Sequence, residues 1–223
     1  MFLSKVQLLP SIEAGAELVK LSQNGVYAAH QLLWQLFPNE QEREFLYREE
    51  QDDFGQPQFF VLSKKQPVVT PLFSIQSKAF NPILQAGSRL AFKLRVNPTI
   101  CVTSKEGKSQ RHDVLMHAKR QHKQSIANDV DLKSIMDQAA IKWFADEKRL
   151  EQWGVELDSL PIIVAYNQHQ SKKRSGQKVQ FSSVDYEGML TVKDPEIFLQ
   201  QYQKGFGRAK ALGCGLMLIR RVN

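Results

Sequence analysis

The chain opens on Phe2 to Leu8, where apolar and polar positions alternate, which predicts a strand anchored by Phe2, Val6 and Leu8. A polar loop ending at Asn24-Gly25 follows. From Val26 to Phe37 apolar residues recur at helical spacing and stop against Pro38, so this stretch predicts a helix on which Tyr27 and His30, three apart, share a face. Phe45 to Arg48 and Gln58 to Leu62 predict two strands joined through the turn residues Asp52 to Pro57. Val68 to Lys78, with Pro67 before it and Pro71 inside it, is mixed strand and loop. From Arg89 to Val96 the alternation is strict. Leu90, Phe92, Leu94 and Val96 fall on one side and Arg89, Ala91, Lys93 and Arg95 on the other, which describes a half-buried strand with a basic open face.

The second half repeats the theme. Thr103 to Asn128 is polar and basic and is expected to be a linker or exposed insertion. Ser134 to Trp153 is helical and Gly154 stops it. Leu160 to Tyr166 is an apolar strand, and Gln168 to Lys178 a turn carrying Lys172, Lys173, Arg174 and Lys178 without an acid. Val179 to Val184 and Tyr186 to Val192 are further strands, Asp194-Pro195 caps a helix running to about Gln203, and Leu216 to Val222 closes the chain as a strand. The class is α+β: two sandwiches in tandem, with residues 1–98 as one domain, 99–130 as a basic linker or insertion and 131–223 as the second domain.

Charge sharpens this picture. The net charge is +7, and its distribution says more than its sum. Phe54 to Lys105 and Lys204 to the end hold no acidic residue, while acids gather at Glu40 to Asp53 and Asp129 to Asp158. One face is therefore expected to meet a polyanion and another to be merely solvated. No apolar run approaches the roughly 20 residues that cross a bilayer, and Met1 to Leu9 lacks the features of a secretory leader. The two cysteines, Cys101 and Cys214, are too few for a disulfide framework and are expected to be reduced thiols in a cytoplasm.

Near the end, Gly205-Phe206-Gly207-Arg208-Ala209-Lys210-Ala211-Leu212-Gly213-Cys214-Gly215 sets glycines around two cations. Successive amides in such a loop can turn toward one anion, with Arg208 and Lys210 adding full charges. The plainer alternative is a turn joining a helix to the last strand. His112, His117 and His122, five apart in a charged segment, do not share a helical face and have no carboxylate or cysteine cluster beside them, so no metal site and no cofactor is expected.

Leu3-Ser4-Lys5-Val6, the pattern Tyr27-x-x-His30-Gln31-x-x-Trp34-x-Leu36-Phe37-Pro38, the strand Phe92-Lys93-Leu94-Arg95-Val96-Asn97-Pro98, Tyr186-Glu187-Gly188-Met189-Leu190 and the Gly205 to Leu216 loop together resemble the CasE type, also called Cse3, of CRISPR-associated RNA endonuclease. The matches run in order along nearly the whole chain. The resemblance implies tandem ferredoxin-like domains, close to RRM folds, with antiparallel sheets each packed by helices. It also implies metal-independent cutting of a CRISPR transcript on the 3′ side of its repeat hairpin, by a protein that stays on its product with other Cascade subunits. The family's catalytic histidine falls on His30 and its accompanying tyrosine on Tyr27. The glycine-rich loop falls on Gly205 to Gly215, hence Gly205, Gly207, Arg208, Lys210 and Gly213. The basic connection falls on about Lys172 to Lys178.

The chemistry suits a histidine. RNA carries its own nucleophile, the 2′-OH, so a protein must only accept its proton, protonate the 5′ leaving oxygen and hold the in-line geometry. An imidazole titrating at roughly 6.5 serves either proton transfer. Two other readings stay open on sequence alone: a silent subunit that only holds the hairpin, and a general RRM-like binder of single strands, whose Lys/Arg-Gly-aromatic pattern is not found here. The lysine turn and the basic strand face with Arg95 are the expected RNA contacts, unless they are ordinary solvated surface.

Overall fold

The protein is described here from a computed structural model covering residues 1–103, 107–122, 129–173 and 175–222, with residues 129–131 followed by their backbone alone. By internal contacts the chain forms two units. One comprises Met1–Ile83 with Gln168–Gln180 and Ala209–Leu216, the other Leu84–Asn167 with Phe181–Arg208 and Met217–Asn223.

The first unit holds β1 (Phe2–Leu8), α1 (Ile12–Trp34), β2 (Phe45–Gln51), β3 (Pro57–Ser63) and β4 (Phe73–Ala79). Its four strands lie in the order β2-β3-β1-β4, all antiparallel, with Val6 opposite Phe59 on one side and Ile75 on the other. The alternation read in β1 puts Val6 inward, where Leu32, Leu33 and Leu36 from the helix side meet Phe45, Tyr47, Phe59 and Val61 from the sheet. The β2–β3 turn is set by Asp52, whose carboxylate accepts from the backbone N–H groups of Phe54 and Gln56.

Helix α1 is longer than its sequence pattern. Ser11 caps it by accepting from the Ala14 N–H at 3.0 Å, and residues 12–24, expected as loop, are helical. The reason the pattern hid this turn of chain is burial: Ile12 is 93% exposed and Val19 53%, so this first half presents little apolar face to the core. The Asn24-Gly25 signal was real but marks a kink. Gly25 sits at φ +46, ψ −127, a conformation that only glycine adopts readily, and it turns the second half of the helix onto the sheet.

The second unit is built on β5 (Arg89–Val96), β8 (Val155–Leu157), β9 (Ile162–Lys172), β10 (Lys178–Val192) and β11 (Met217–Arg221), in the order β11-β5-β10-β8 with β9 also paired to β10; the ends of β9 and β10 that fall within Gln168–Gln180 count with the first unit. Its helices are α2 (Val114–His122), α3 (Asp129–Phe144), α4 (Glu147–Trp153) and α5 (Pro195–Lys204). In the first sheet the last strand lies beside the first, the first beside the third and the third beside the second, the antiparallel order of ferredoxin-like domains; the second sheet repeats it along β11-β5-β10-β8, with β9 as an addition off that path.

Several expectations are corrected here. Arg89–Val96 was grouped with the first domain, yet β4 already completes that sheet, and β5 pairs with β10 and β11 as first strand of the second. Its inward residues are as read, Leu90, Phe92, Leu94 and Val96 all being buried. Its basic face is exposed at Arg89 and Lys93, as read, but its charges are paired: Arg89 with Asp158, Lys93 with Glu187 and the more covered Arg95 with Asp185. The stretch expected as a linker contains a hairpin, β6 (Thr99–Thr103) with β7 (Ser109–Asp113), and then α2; residues 104–106 and 123–128 of it lie outside the described part. The helix read over Ser134 to Trp153 is two, broken where Asp146 caps α4 by accepting from the Arg149 N–H. The strands read as Val179 to Val184 and Tyr186 to Val192 are one 15-residue strand.

Candidate active site

His30 sits on the second half of α1, which Gly25 aims along the sheet. Its half-buried ring stacks on Phe45, with centroids 6.4 Å apart and 29° between planes, and meets Trp34 edge-on at 6.2 Å. The indole N–H of Trp34, four residues on and therefore the next neighbour along the helix, donates to His30 Nε2 at 3.1 Å. Nδ1 is shut from solvent and has no hydrogen-bond partner among the described residues. Burial lowers the imidazole pKa below its ordinary value, and the positive charge of Arg43 lowers it further. Arg43 itself lies over the Phe45 ring at 5.9 Å and donates to the Phe45 carbonyl. Both influences favour the uncharged imidazole, the state a general base requires.

Tyr27 lies three residues before His30 but in different surroundings. With Lys20, Asn24, Gln31, Lys172 and Lys173 it lines a cavity of about 640 Å³ beside α1. His30 is not among the lining residues, so the shared helical face becomes two neighbouring faces, one open and polar, the other aromatic and enclosed. Asn24 ties the two elements of this cavity together. Its Oδ1 accepts from the Lys172 N–H at 2.7 Å, its Nδ2 donates to the Lys172 carbonyl at 2.9 Å, and the Ser171 hydroxyl donates to its backbone carbonyl. Lys172, Lys173 and Lys178 are exposed, and Arg174 lies outside the described residues.

The glycine-rich stretch divides between two jobs. Gly205 closes α5, and Phe206 is fully buried against Trp153, Phe198 and Tyr202, so this part is chiefly a core anchor. After Gly207, exposed Arg208 forms a lone antiparallel bridge with Asn97. Lys210 opens a 3-10 helix of only three residues, Lys210–Leu212, so the expected helix dipole is slight. Gly213 at φ +80 lies against the ring of Tyr47. The Tyr47 hydroxyl donates to the carbonyl of Val26 at 3.0 Å and reaches that of Ala211 at 3.5 Å, joining this loop to the turn of α1 that precedes Tyr27.

Arg95 is held differently from the other expected contacts. Its guanidinium Nε bonds both carboxylate oxygens of Asp185 and a second nitrogen bonds one of them, with the side chains 20% and 7% exposed. A charge compensated this closely is poorly placed to meet phosphate. Sequence reasoning found His30 but not the groups around it. Trp34 enters the sequence reading only as part of a motif, though its spacing of four from His30 was the available signal; Phe45, Arg43 and Tyr47 come from other segments and gave none, and Asn24, on α1 itself, gave only a turn signal. Among the described residues no group of three His, Cys, Asp or Glu side chains is placed to hold a metal ion, and Cys101 and Cys214 are not joined in a disulfide. No described helix is long and apolar enough to cross a membrane.

Residues 1–221 match the family model described as CRISPR associated protein. The chain is 30% identical over 196 residues to the CRISPR system Cascade subunit CasE of Escherichia coli, covering 86% of this chain and 90% of that protein. This chain belongs to the CRISPR-associated family, in its CasE/Cse3 type. The CRISPR-associated endoribonuclease Cse3 of Thermus thermophilus is 29% identical over 176 residues, spanning 74% of this chain and 68% of its own length. A solved structure of Thermus thermophilus Cse3, bound to an RNA representing a pre-cleavage complex, superposes with a TM-score of 0.68 at 25% identity over 98% of both chains. The tandem ferredoxin-like architecture is thus that of CasE/Cse3 proteins.

Proposed function

We propose that this CasE/Cse3-type protein is an endoribonuclease that binds the CRISPR repeat hairpin, cleaves the precursor transcript on its 3′ side without a metal ion, and keeps the product as a subunit of Cascade in the cytoplasm. The relatives named for endoribonuclease activity and for Cascade support the class of reaction and the assembly. The observation that carries the mechanism is a histidine whose burial favours its neutral form, one helical turn from a lysine-lined cavity. His30 accepts the 2′-OH proton or supplies the leaving-group proton. The O2′–P bond forms as the P–O5′ bond breaks, the 5′ oxygen takes a proton, and the products end in a 2′,3′-cyclic phosphate and a 5′-OH. Tyr27 holds the reacting phosphate or sugar from the open face of α1. Lys172, Lys173 and Lys178 meet the phosphates of the stem, whose charge rather than base edges they sense. Arg208 and Lys210 neutralise charge developing at phosphorus.

The test is incubation of repeat RNA with wild-type and His30→Ala protein in EDTA, with binding and product ends both scored. The expected result is a cyclic-phosphate end from the wild type and tight binding without cleavage by the variant. Equal cleavage by the variant refutes the role of His30, dependence on added divalent ions refutes the metal-free route, and binding with no cleavage by either protein leaves a hairpin-holding subunit.

A further inference from the structure

This inference rests on His30 as the proton-transfer group. A neutral imidazole has one N–H and one lone pair, and an indole nitrogen only donates. Because Trp34 donates to Nε2, that nitrogen presents the lone pair and the proton is on Nδ1. The lone pair that would take a 2′ proton is already occupied. The N–H that would protonate a leaving oxygen is sealed away without a partner among the described residues. In this position the ring performs neither half of the reaction. The position is also not a comfortable one, since a buried N–H with no acceptor is costly and a rotation toward phosphate oxygen removes the cost.

We infer that Trp34 is a positioning residue that latches His30 in a withdrawn, neutral orientation through its indole N–H, and that bound RNA draws the ring out of the latch. Trp34 is fixed independently of the histidine. Its ring lies edge-on to Phe45 at 5.6 Å and 81°, and Phe45 is in turn stacked on Phe37 at 4.8 Å. The charged and titratable groups facing this box are few. Arg43 approaches from the connection before β2, and Tyr47 on β2 has its hydroxyl bonded to Val26. Around Phe45, Glu44 pairs with Lys64 and Glu40 with Lys65. Protonation of the ring removes the lone pair that Trp34 uses and sets a second cation near Arg43, so the latch holds the neutral ring alone.

Nitrogen-15 NMR of the histidine rings in the full-length protein tests this, free and bound to a repeat hairpin whose scissile 2′-OH is replaced by hydrogen. In the free protein His30 should show Nδ1–H with a hydrogen-bonded Nε2, and bound RNA should abolish that signature. An Nε2–H tautomer in the free protein, or a signature unchanged by RNA, overturns the latch. Trp34→Phe keeps a ring against Phe45 and deletes the donor. Its single-turnover cleavage at saturating RNA should rise about two- to tenfold, the range that loss of one neutral hydrogen bond gives, with the acid limb of the rate moved up toward 6.5. An unchanged or lower rate, or an unmoved acid limb, overturns the proposal; if the variant does not fold, the wild-type tautomer decides. Failure of the catalytic reading is separable, because His30→Ala would then still cleave whatever tautomer the free protein shows.

Discussion

Adding one methyl group at Gly213 tests whether Ala209–Leu216 packs within the first unit as described. Two effects add. At φ +80 an alanine carries the left-handed penalty of about 1–2 kcal/mol, less about 0.4–1 kcal/mol returned through the less flexible unfolded chain. The new Cβ would also stand 3.3 Å from Tyr47 Cε2 and 3.7 Å from Cζ. Tyr47 cannot step aside easily, being fully buried between Phe45 and Phe59 with its hydroxyl bonded to Val26. Crowding a packed side chain costs about 1–3 kcal/mol, so Gly213→Ala should lose about 1–4.5 kcal/mol in all. Gly176 is the control. It has a similar φ of +82 but no atom within 4 Å of an added Cβ, so Gly176→Ala should lose only the conformational part, about 0–1.5 kcal/mol. For a chain of this size about 2–4 °C accompanies each kcal/mol, so calorimetry should find Tm lowered by roughly 2–18 °C at Gly213 and by no more than about 6 °C at Gly176. Equal shifts in the two variants, or none at Gly213, would refute the packing argument.

Other expectations follow from the same geometry. The pKa of His30 is lowered in the folded state, so the unfolded chain binds the extra proton first; stability from this residue is intact above 6.5 and falls as pH drops from there through the lowered value. Urea titrations between pH 5 and pH 8 should show this slope in the wild type and a flatter one in His30→Asn, and identical slopes would show that burial does not shift the ring. Replacing Lys172 and Lys173 together by alanine should weaken hairpin binding and reduce its salt dependence by about one to two in log–log slope. Arg95→Gln should instead destabilise the fold through the orphaned Asp185 and leave the salt slope alone. If Arg95→Gln flattens the slope and the lysine pair does not, the two roles are exchanged.

Strands whose side chains alternate strictly, β1 and β5 above all, were legible from sequence to the residue, and α5 with its Asp194 cap to within a residue at its end. Local pattern carries such information because one face of each element is buried. It failed where burial is weak, as in the first half of α1, and where pairing is long-range. Nothing inside Arg89–Val96 says which sheet it joins; only the count of partners does. Charge misled for a related reason. A run without acids is basic in sequence, yet Asp158, Asp185 and Glu187 come from other segments to neutralise Arg89, Arg95 and Lys93. At the site, resemblance pointed to His30, but its environment is assembled from the helix end and from β2, so the state of its ring was not readable from its neighbours in sequence.

The bonds between Asn24 and Lys172 have a mechanical consequence. The carboxamide of Asn24 offers one donor and one acceptor to the peptide of Lys172, as a neighbouring strand would, so the root of the lysine hairpin is riveted to the residue just before the Gly25 bend. A pull on the hairpin is thereby a torque on the half-helix that carries Tyr27 and His30. The two bonds to Lys172 are made by a side chain, so a single substitution, Asn24→Ala, would remove them and leave the Ser171 hydroxyl on the backbone carbonyl of residue 24 as the remaining tie.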